Sequence, residues 1–319
     1  MTRAIAPAVA VLFALLPFMG AKAQTDADTI TNVYQLGDLV IHGNAKGLNL
    51  EGFMQQVKED TSFLHAFLNM RYFPHGVKSG LLVRNKGEDE MATLYREGHL
   101  LRTGPNAELR TDSTSETGKL RSRNGDMRYL TAELYDDLFW PKGQWNADNS
   151  IAAYQRTGRG GGRIEKYKDQ LKKFMFNPGQ EIASVPFIGD KLALFDPKMV
   201  PYYDFSIASE HRNGHTCWLF SALAKDSLNG KRVSDDATVI KTMHTWFDQG
   251  TMQVIARDYR IAHVSILLDF DISIQVDNTV VAGELVPTFV NYDGDWDIPF
   301  HKREIVRFWL VMDKWAIDR

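Results

Sequence analysis

His211 and His215 stand four residues apart, the spacing that on a helix would turn two imidazoles to one face and offer them to a zinc ion. Asn213-Gly214 lies between them, and that dipeptide marks a hairpin turn rather than a helix interior, so two solvated turn histidines are the plainer expectation. Cys217 follows two residues later and would form with His215 a thiolate–imidazole pair for nucleophilic catalysis. On a strand it shares a face with Leu219, opposite Trp218 and Phe220, and reads as a small packing residue.

Carboxylates supply a second group of candidates. Asp293, Asp295, Asp297 and Glu304 match the first, third, fifth and twelfth positions of an EF-hand loop. The sixth position, where that loop needs glycine, is Ile298, and the flanks read as strands, so an Asp293-Gly294 turn leading into an edge segment is expected instead. Asp269 and Asp271 share a strand face and would suit acid–base work, or equally a solvated face.

Glycines supply the third. "RTGRGGGRIEKYKDQLKKF" places Gly158, Gly160, Gly161 and Gly162 among arginines, just before a helical pattern. A Walker loop would need a second glycine and then Lys-Ser or Lys-Thr, but the sixth residue from Gly158 is Arg163. A dinucleotide fingerprint fails at the same position. What remains is either a flexible hinge at Gly160, Gly161 and Gly162, or a helix N-terminus where Arg159 and Arg163 would hold an anion such as a lipid head-group phosphate. No cofactor, nucleotide or metal is expected.

The first residues bear on compartment. Arg3, an apolar stretch from Ala4 to Met19, and Ala21-Lys22-Ala23 follow the order of a secretory signal peptide, with cleavage expected between Ala23 and Gln24. That would leave 296 of the 319 residues and shift the formal charge from −3 to −5, with no electrostatic footprint for nucleic acid. With one cysteine, no internal disulfide can form. The expected location is the cell envelope or outside the cell, with no transmembrane segment in the mature chain.

Elements must then position these groups. Residues 24–46 read as a leader with one edge strand in "DLVIHG", and 47–319 as a single domain. Residues 50–73 have helical periodicity, as one amphipathic helix or two broken near Asp60-Thr61. "LLVRN", "MATLYRE" and "HLLRT" read as short antiparallel strands, the last two separated at Gly98, and 104–128 as a long exposed polar loop. The type of 127–140 stays open, 164–175 forms an apolar helical stripe, and 176–205 crosses the core irregularly. Six strands follow, running from "HTCWLFSALAK" to "EIVRFWLVM". The fold class is α+β: a large antiparallel sheet with two or three helices over one face.

The succession "GHTCWLFSALAKD", "VIKTMHTWFDQGTMQVIARDYRIA" and "FDISIQVDNTVVAGELVPTFVNYDG" resembles the outer-membrane lipoprotein-sorting proteins, the Lol-type periplasmic carriers. Trp246, Phe247 and Asp248, then Gly283, Val286 and Pro287, carry the resemblance, which covers about 210–300. It implies a curved incomplete barrel with helices in its concave side, over an apolar cavity that accepts acyl chains or a lipoprotein segment. The chain departs from those carriers in its greater length, at 104–128 and 176–205.

The resulting expectation is an exported, non-enzymatic carrier whose partner is a lipid or lipoprotein. Phe187, Trp218, Phe220, Trp246, Phe270 and Phe289 are its candidate cavity wall. The helices at 53–70 and 164–175 would serve as the lid. The alternatives are an exported hydrolase using Asp269, Asp271 or His215 and Cys217, and a surface-interaction domain with a filled core.

Overall fold

The computed structural model describes residues 40–41, 49–153, 179, 188–264, 269–297 and 303–317. Leu36–Arg319 form one compact unit. The expected signal peptide, the glycine-rich segment with Arg159, Gly160, Gly161, Gly162 and Arg163, the helix at 164–175 and Phe187 lie outside the described residues.

One sheet dominates. In chain order its strands are β1 (Val40–Ile41), β2 (His75–Arg84), β3 (Glu90–Thr103), β4 (Asn106–Gly118), β5 (Gln144–Asn146), β6 (Tyr203–Arg212) and β7 (His215–Ala224). After the small hairpin β8 (Ser227–Leu228) and β9 (Lys231–Arg232) come β10 (Ile240–Asp248), β11 (Val254–His263), β12 (Asp269–Val281), β13 (Glu284–Asp297) and β14 (Glu304–Asp313). The 12-stranded order is β1-β6-β7-β10-β11-β12-β13-β14-β2-β3-β4-β5, open at both ends. Every pairing is antiparallel except β1 against β6. The last strand, β14, seats in mid-sheet between β13 and β2.

Alternation decides which face is covered. On β12, Phe270, Ile272, Ile274 and Val276 are buried, and on β14 the buried set is Glu304, Val306, Phe308, Leu310 and Met312. Registered partners put these side chains on one inner face, continuous from Phe220 on β7 to Leu94 on β3. Three short helices roof that face: α1 (Leu50–Glu59), α2 (Ser62–Met70) and α3 (Leu130–Phe139).

The helix break falls where Asp60 interrupts the apolar pattern. Its carboxylate accepts from the Ser62 N–H at 3.0 Å and the Ser62 hydroxyl at 2.6 Å, which ends α1 and starts α2. Asn49 caps α1 by accepting the Gly52 N–H. The open segment at 127–140 forms α3, whose Tyr135, Leu138 and Phe139 are buried. Within 188–202, short 3₁₀ turns carry Ile188, Leu192, Leu194 and Met199 into the core, as the irregular crossing requires.

Four expectations are corrected. Half of the expected loop at 104–128 is strand β4, paired along β3 from Thr103↔Asn106 to Ala92↔Gly118. Gly98 does not separate two strands: β3 runs through it, with a register shift between Glu97 and Gly98. Asp293-Gly294 is not a turn but mid-strand, with Gly294 opposite Ile272 and Val306, and the β12–β13 turn is at Ala282-Gly283, both at positive φ. Strand β6 was missing from the six expected strands, and Asn213-Gly214 turns it into β7.

Candidate functional site

The inner face and its roof hold three of the six expected wall residues, Trp218, Phe220 and Phe270. Phe220 and Phe270 are buried there, and Trp218 packs against the same core, registered with Phe247. Trp246 and Phe289 do not belong with them. Trp246 registers with Leu219 and Ala256, and Phe289 with Asp277, which places both on the opposite, outer face. Adjacent strand residues point to opposite faces, and these two occupy the outward positions.

Aromatic contacts join roof to sheet. The Phe53 ring of α1 meets Phe247 edge-on at 5.5 Å, and Tyr135 of α3 lies 4.5 Å from Tyr292 and 4.9 Å from Phe308. Burial holds the Tyr135 and Tyr292 hydroxyls protonated, with pKa values well above the phenol range.

Three polar clasps interrupt this apolar layer. Arg257, buried on β11, points its guanidinium to Asp60 at 3.9 Å, donates to Thr245 Oγ1 at 3.0 Å and lies over the Phe63 ring at 4.4 Å. Burial lowers its pKa, and the Asp60 charge works against that shift. Glu304, projecting inward from β14, accepts the Leu130 N–H at 2.8 Å and the Thr131 N–H at 2.9 Å, capping α3 with a carboxylate from the sheet. Arg96 of β3 reaches Asp136 of α3 at 2.5 Å and stacks on Trp140 at 4.4 Å.

Two hollows adjoin the roof. One is a crevice between the ends of α2 and α3 and strands β2, β3 and β14, whose enclosed space is about 20 Å³, room for about one water. The other is an open cleft of about 450 Å³ at the α1–α2 elbow, with Gln56, Glu59, Asp60, Ser62, His65 and Gln253 on its walls.

The chemistry-bearing candidates are placed elsewhere. His215 Nδ1 meets Asp248 Oδ2 at 2.8 Å, while His211 Nδ1 contacts Thr216 Oγ1 at 3.3 Å, so the two imidazoles have different partners across the hairpin. Cys217 is buried, its thiol turned to the His215 carbonyl rather than to the imidazole, and burial pushes its pKa up to about 11. Asp293 and Asp295 lie on the outer face, salt-bridged to Arg307 and Arg303, while Glu304 is on the inner face, so an EF-hand cage cannot close. Asp271 is clamped by Arg260 through bonds of 2.8 and 2.5 Å, and Asp269 registers with Asp297. Among the described residues no group of three or more His, Cys, Asp or Glu could hold a metal ion. No helix there is long and apolar enough to cross a membrane.

Sequence reasoning missed the clasps. Arg257 and Glu304 sit at inward positions of otherwise apolar strands, and a charged residue breaking such an alternation is the signal that would have found them. It also missed Ser221, whose hydroxyl is 2.9 Å from His244 Nδ1 on the outer face; the next residue in that row, Asp258, faces Arg212 at 3.8 Å.

No family model matches the chain, and no curated protein matches it. Solved structures do. A DUF1329 family protein from Desulfovibrio piger is similar at 10% identity over 81% of this chain and 92% of its own, with a TM-score of 0.23. A domain assigned as an outer membrane lipoprotein-sorting protein, from Vibrio parahaemolyticus, is similar at 10% identity over 80% and 91%, with a TM-score of 0.25. Lipovitellin, in a structure concerned with its lipid–protein interactions, is similar at 7% identity over 77% of this chain and 26% of that one, with a TM-score of 0.24. At such identities the ligand has to be argued from this chain's own residues.

Proposed function

We propose that the protein is an exported, non-enzymatic binding protein that holds a lipid, or the acyl chains of an acylated polypeptide, against the inner face of its open sheet. The observation that carries this reading is the composition of that face: a broad apolar surface, broken by the three clasps and covered, among the described residues, by helices of no more than ten residues. Helices shorter than about 12–15 residues do not hold themselves in water, so this roof depends on its contacts with the sheet. Acyl chains supply equivalent contacts at about 0.8 kcal/mol per buried CH₂. The crevice at the ends of α2 and α3 has only about 20 Å³ of room, so a chain entering there displaces roof contacts.

In this reading Trp218, Phe220 and Phe270 contact the ligand, with Phe187 as a further wall residue. The reading takes Gly160–Gly162 as the hinge of a second lid helix and, from the export signature together with the resemblance to the periplasmic carriers, the Gram-negative periplasm as the location. The arrangement of Cys217, His215 and Asp271, each committed to a structural partner, lends the hydrolase alternative no support.

Titration with 11-(dansylamino)undecanoate tests the reading. A single saturable binding event, displaced by unlabelled fatty acid, is expected. Linear, non-saturable partitioning would count against it.

A further inference from the structure

Among the described arginines that are not fully exposed, Arg96, Arg257 and Arg212 are each set against a carboxylate. Arg96 faces Asp136 at 2.5 Å, Arg257 faces Asp60 at 3.9 Å, and Arg212 faces Asp277 at 2.9 Å. Arg71, at the C-terminal end of α2, has none: among the described residues its guanidinium makes no ion pair or hydrogen bond, only a stacking contact with the Trp145 ring at 5.1 Å. Burial lowers its pKa with no acidic group acting in the other direction. Trp145 is fixed in place, its indole N–H donating to the Arg71 carbonyl at 3.1 Å.

Arg71 lines the crevice at the ends of α2 and α3, with Met70, Val77, Leu100, Leu138 and Phe139 as its apolar walls. The remaining polar group of its lining, His75, is uncharged at neutral pH: burial lowers its pKa to about 4, and Nδ1 is 2.8 Å from the Phe73 carbonyl. The ring of Tyr72, the residue after Arg71, carries a second cation, with Arg102 stacked on it at 3.8 Å. A guanidinium partly withdrawn from water without a counter-charge weakens the fold that holds it, and its fork geometry matches carboxylate and phosphate oxygens.

We propose that Arg71 and its crevice receive the anionic head of an amphiphile, a carboxylate or a phosphate monoester, while the apolar stem lies between α3 and the inner face of the sheet. The inference rests on the lipid reading and adds the head-group chemistry and the end of the roof at which the ligand is held. The crevice beside Arg71 has room for about one water-sized group, so the head group reaches the guanidinium as the stem takes the place of roof contacts.

Calorimetric titration of the full chain with dodecanoate, dodecyl phosphate, 1-dodecanol and inorganic phosphate tests it, in wild type, Arg71→Gln and Arg71→Lys. At least one anionic amphiphile should bind saturably, and whichever binds more tightly identifies the head group. Arg71→Gln should weaken that binding about 10- to 100-fold, the loss of charge-assisted hydrogen bonds, and leave dodecanol unchanged. Arg71→Lys should retain part of the affinity. Equal affinities of wild type and Arg71→Gln for every amphiphile would overturn the proposal, as would inorganic phosphate binding as tightly as dodecyl phosphate.

Thermal melts of the same proteins separate function from architecture. Removing an uncompensated charge should leave the Tm of Arg71→Gln equal to or above that of wild type, whereas a fall of more than about 4 °C would make Arg71 a structural residue and overturn the assignment. If wild type binds the dansyl probe and Arg71→Gln binds it equally, the lipid reading stands and this site falls. If wild type binds no amphiphile, both fall.

Discussion

Arg257 and Asp60 form an ion pair beneath the helix elbow, with Arg257 Nη2 at 3.9 Å from Asp60 Oδ2 and side chains 8% and 3% exposed. The pair joins β11 to the junction of α1 and α2 at the point where the Asp60 carboxylate also caps α2 through Ser62. Removing only the acid strands a buried cation. Asp60→Ala should therefore cost about 3–5 kcal/mol in urea unfolding, and Arg257→Met combined with Asp60→Leu should recover much of that loss. Equal stability of wild type and Asp60→Ala would show that the pair does not hold the roof.

Glu304 caps a helix from another element. Because its carboxylate satisfies the first N–H groups of α3, Glu304→Ala should cost about 1–2 kcal/mol. Amide hydrogen exchange reads it locally: faster exchange is expected over 130–139, with the distant β6–β7 pairing unchanged. Uniform acceleration across the sheet would mean that Glu304 supports the fold globally.

His75 sets an acid limit. Burial lowers its pKa from the usual 6.5 to about 4, so between these values the unfolded chain binds a proton that the folded chain does not. Stability is fully present above about pH 6.5 and falls as the pH drops towards 4, at up to about 1.4 kcal/mol per unit. Burial lowers the pKa values of His244 and His263 as well, adding to the same trend. His75→Phe, which keeps a ring to stack on Trp315 at 4.1 Å, should flatten the profile, and an unaltered slope would remove His75 as its source.

Cys217 should be inert in the native protein. Its thiol is buried with a pKa raised to about 11, so iodoacetamide at pH 8 should label it only after unfolding. Rapid native labelling would reopen the nucleophile reading.

Much of this architecture was legible in single residues. Asp60-Thr61 marked the helix break because a short acid at that point competes for the backbone N–H groups that follow. The alternation on β12 and β14 announced one buried face. Strand β4 gave no such signal: Arg110 to Gly118 lie beyond the roof and are exposed on both faces, so the strand has no apolar period and is held by pairing with β3. Gly294 misled because glycine beside aspartate reads as a turn, yet here it makes room under Tyr292 within a strand, where a Cβ would run into the phenol oxygen. Tyr203, Phe205 and Ile207 did alternate along β6, but the proline-punctuated crossing before them masked the strand. The candidate site was less legible than the fold, because clasps such as Glu304 to Leu130 join residues far apart in sequence.

The central claim is that the inner face of this sheet carries a lipid. Native mass spectrometry of the full chain, purified under gentle conditions from a Gram-negative envelope, tests it most directly. The account predicts a fraction of molecules heavier by the mass of a lipid or acylated peptide, released at raised collision energy and depleted in Arg71→Gln. A single unliganded mass in every preparation, in wild type and variant alike, would contradict it.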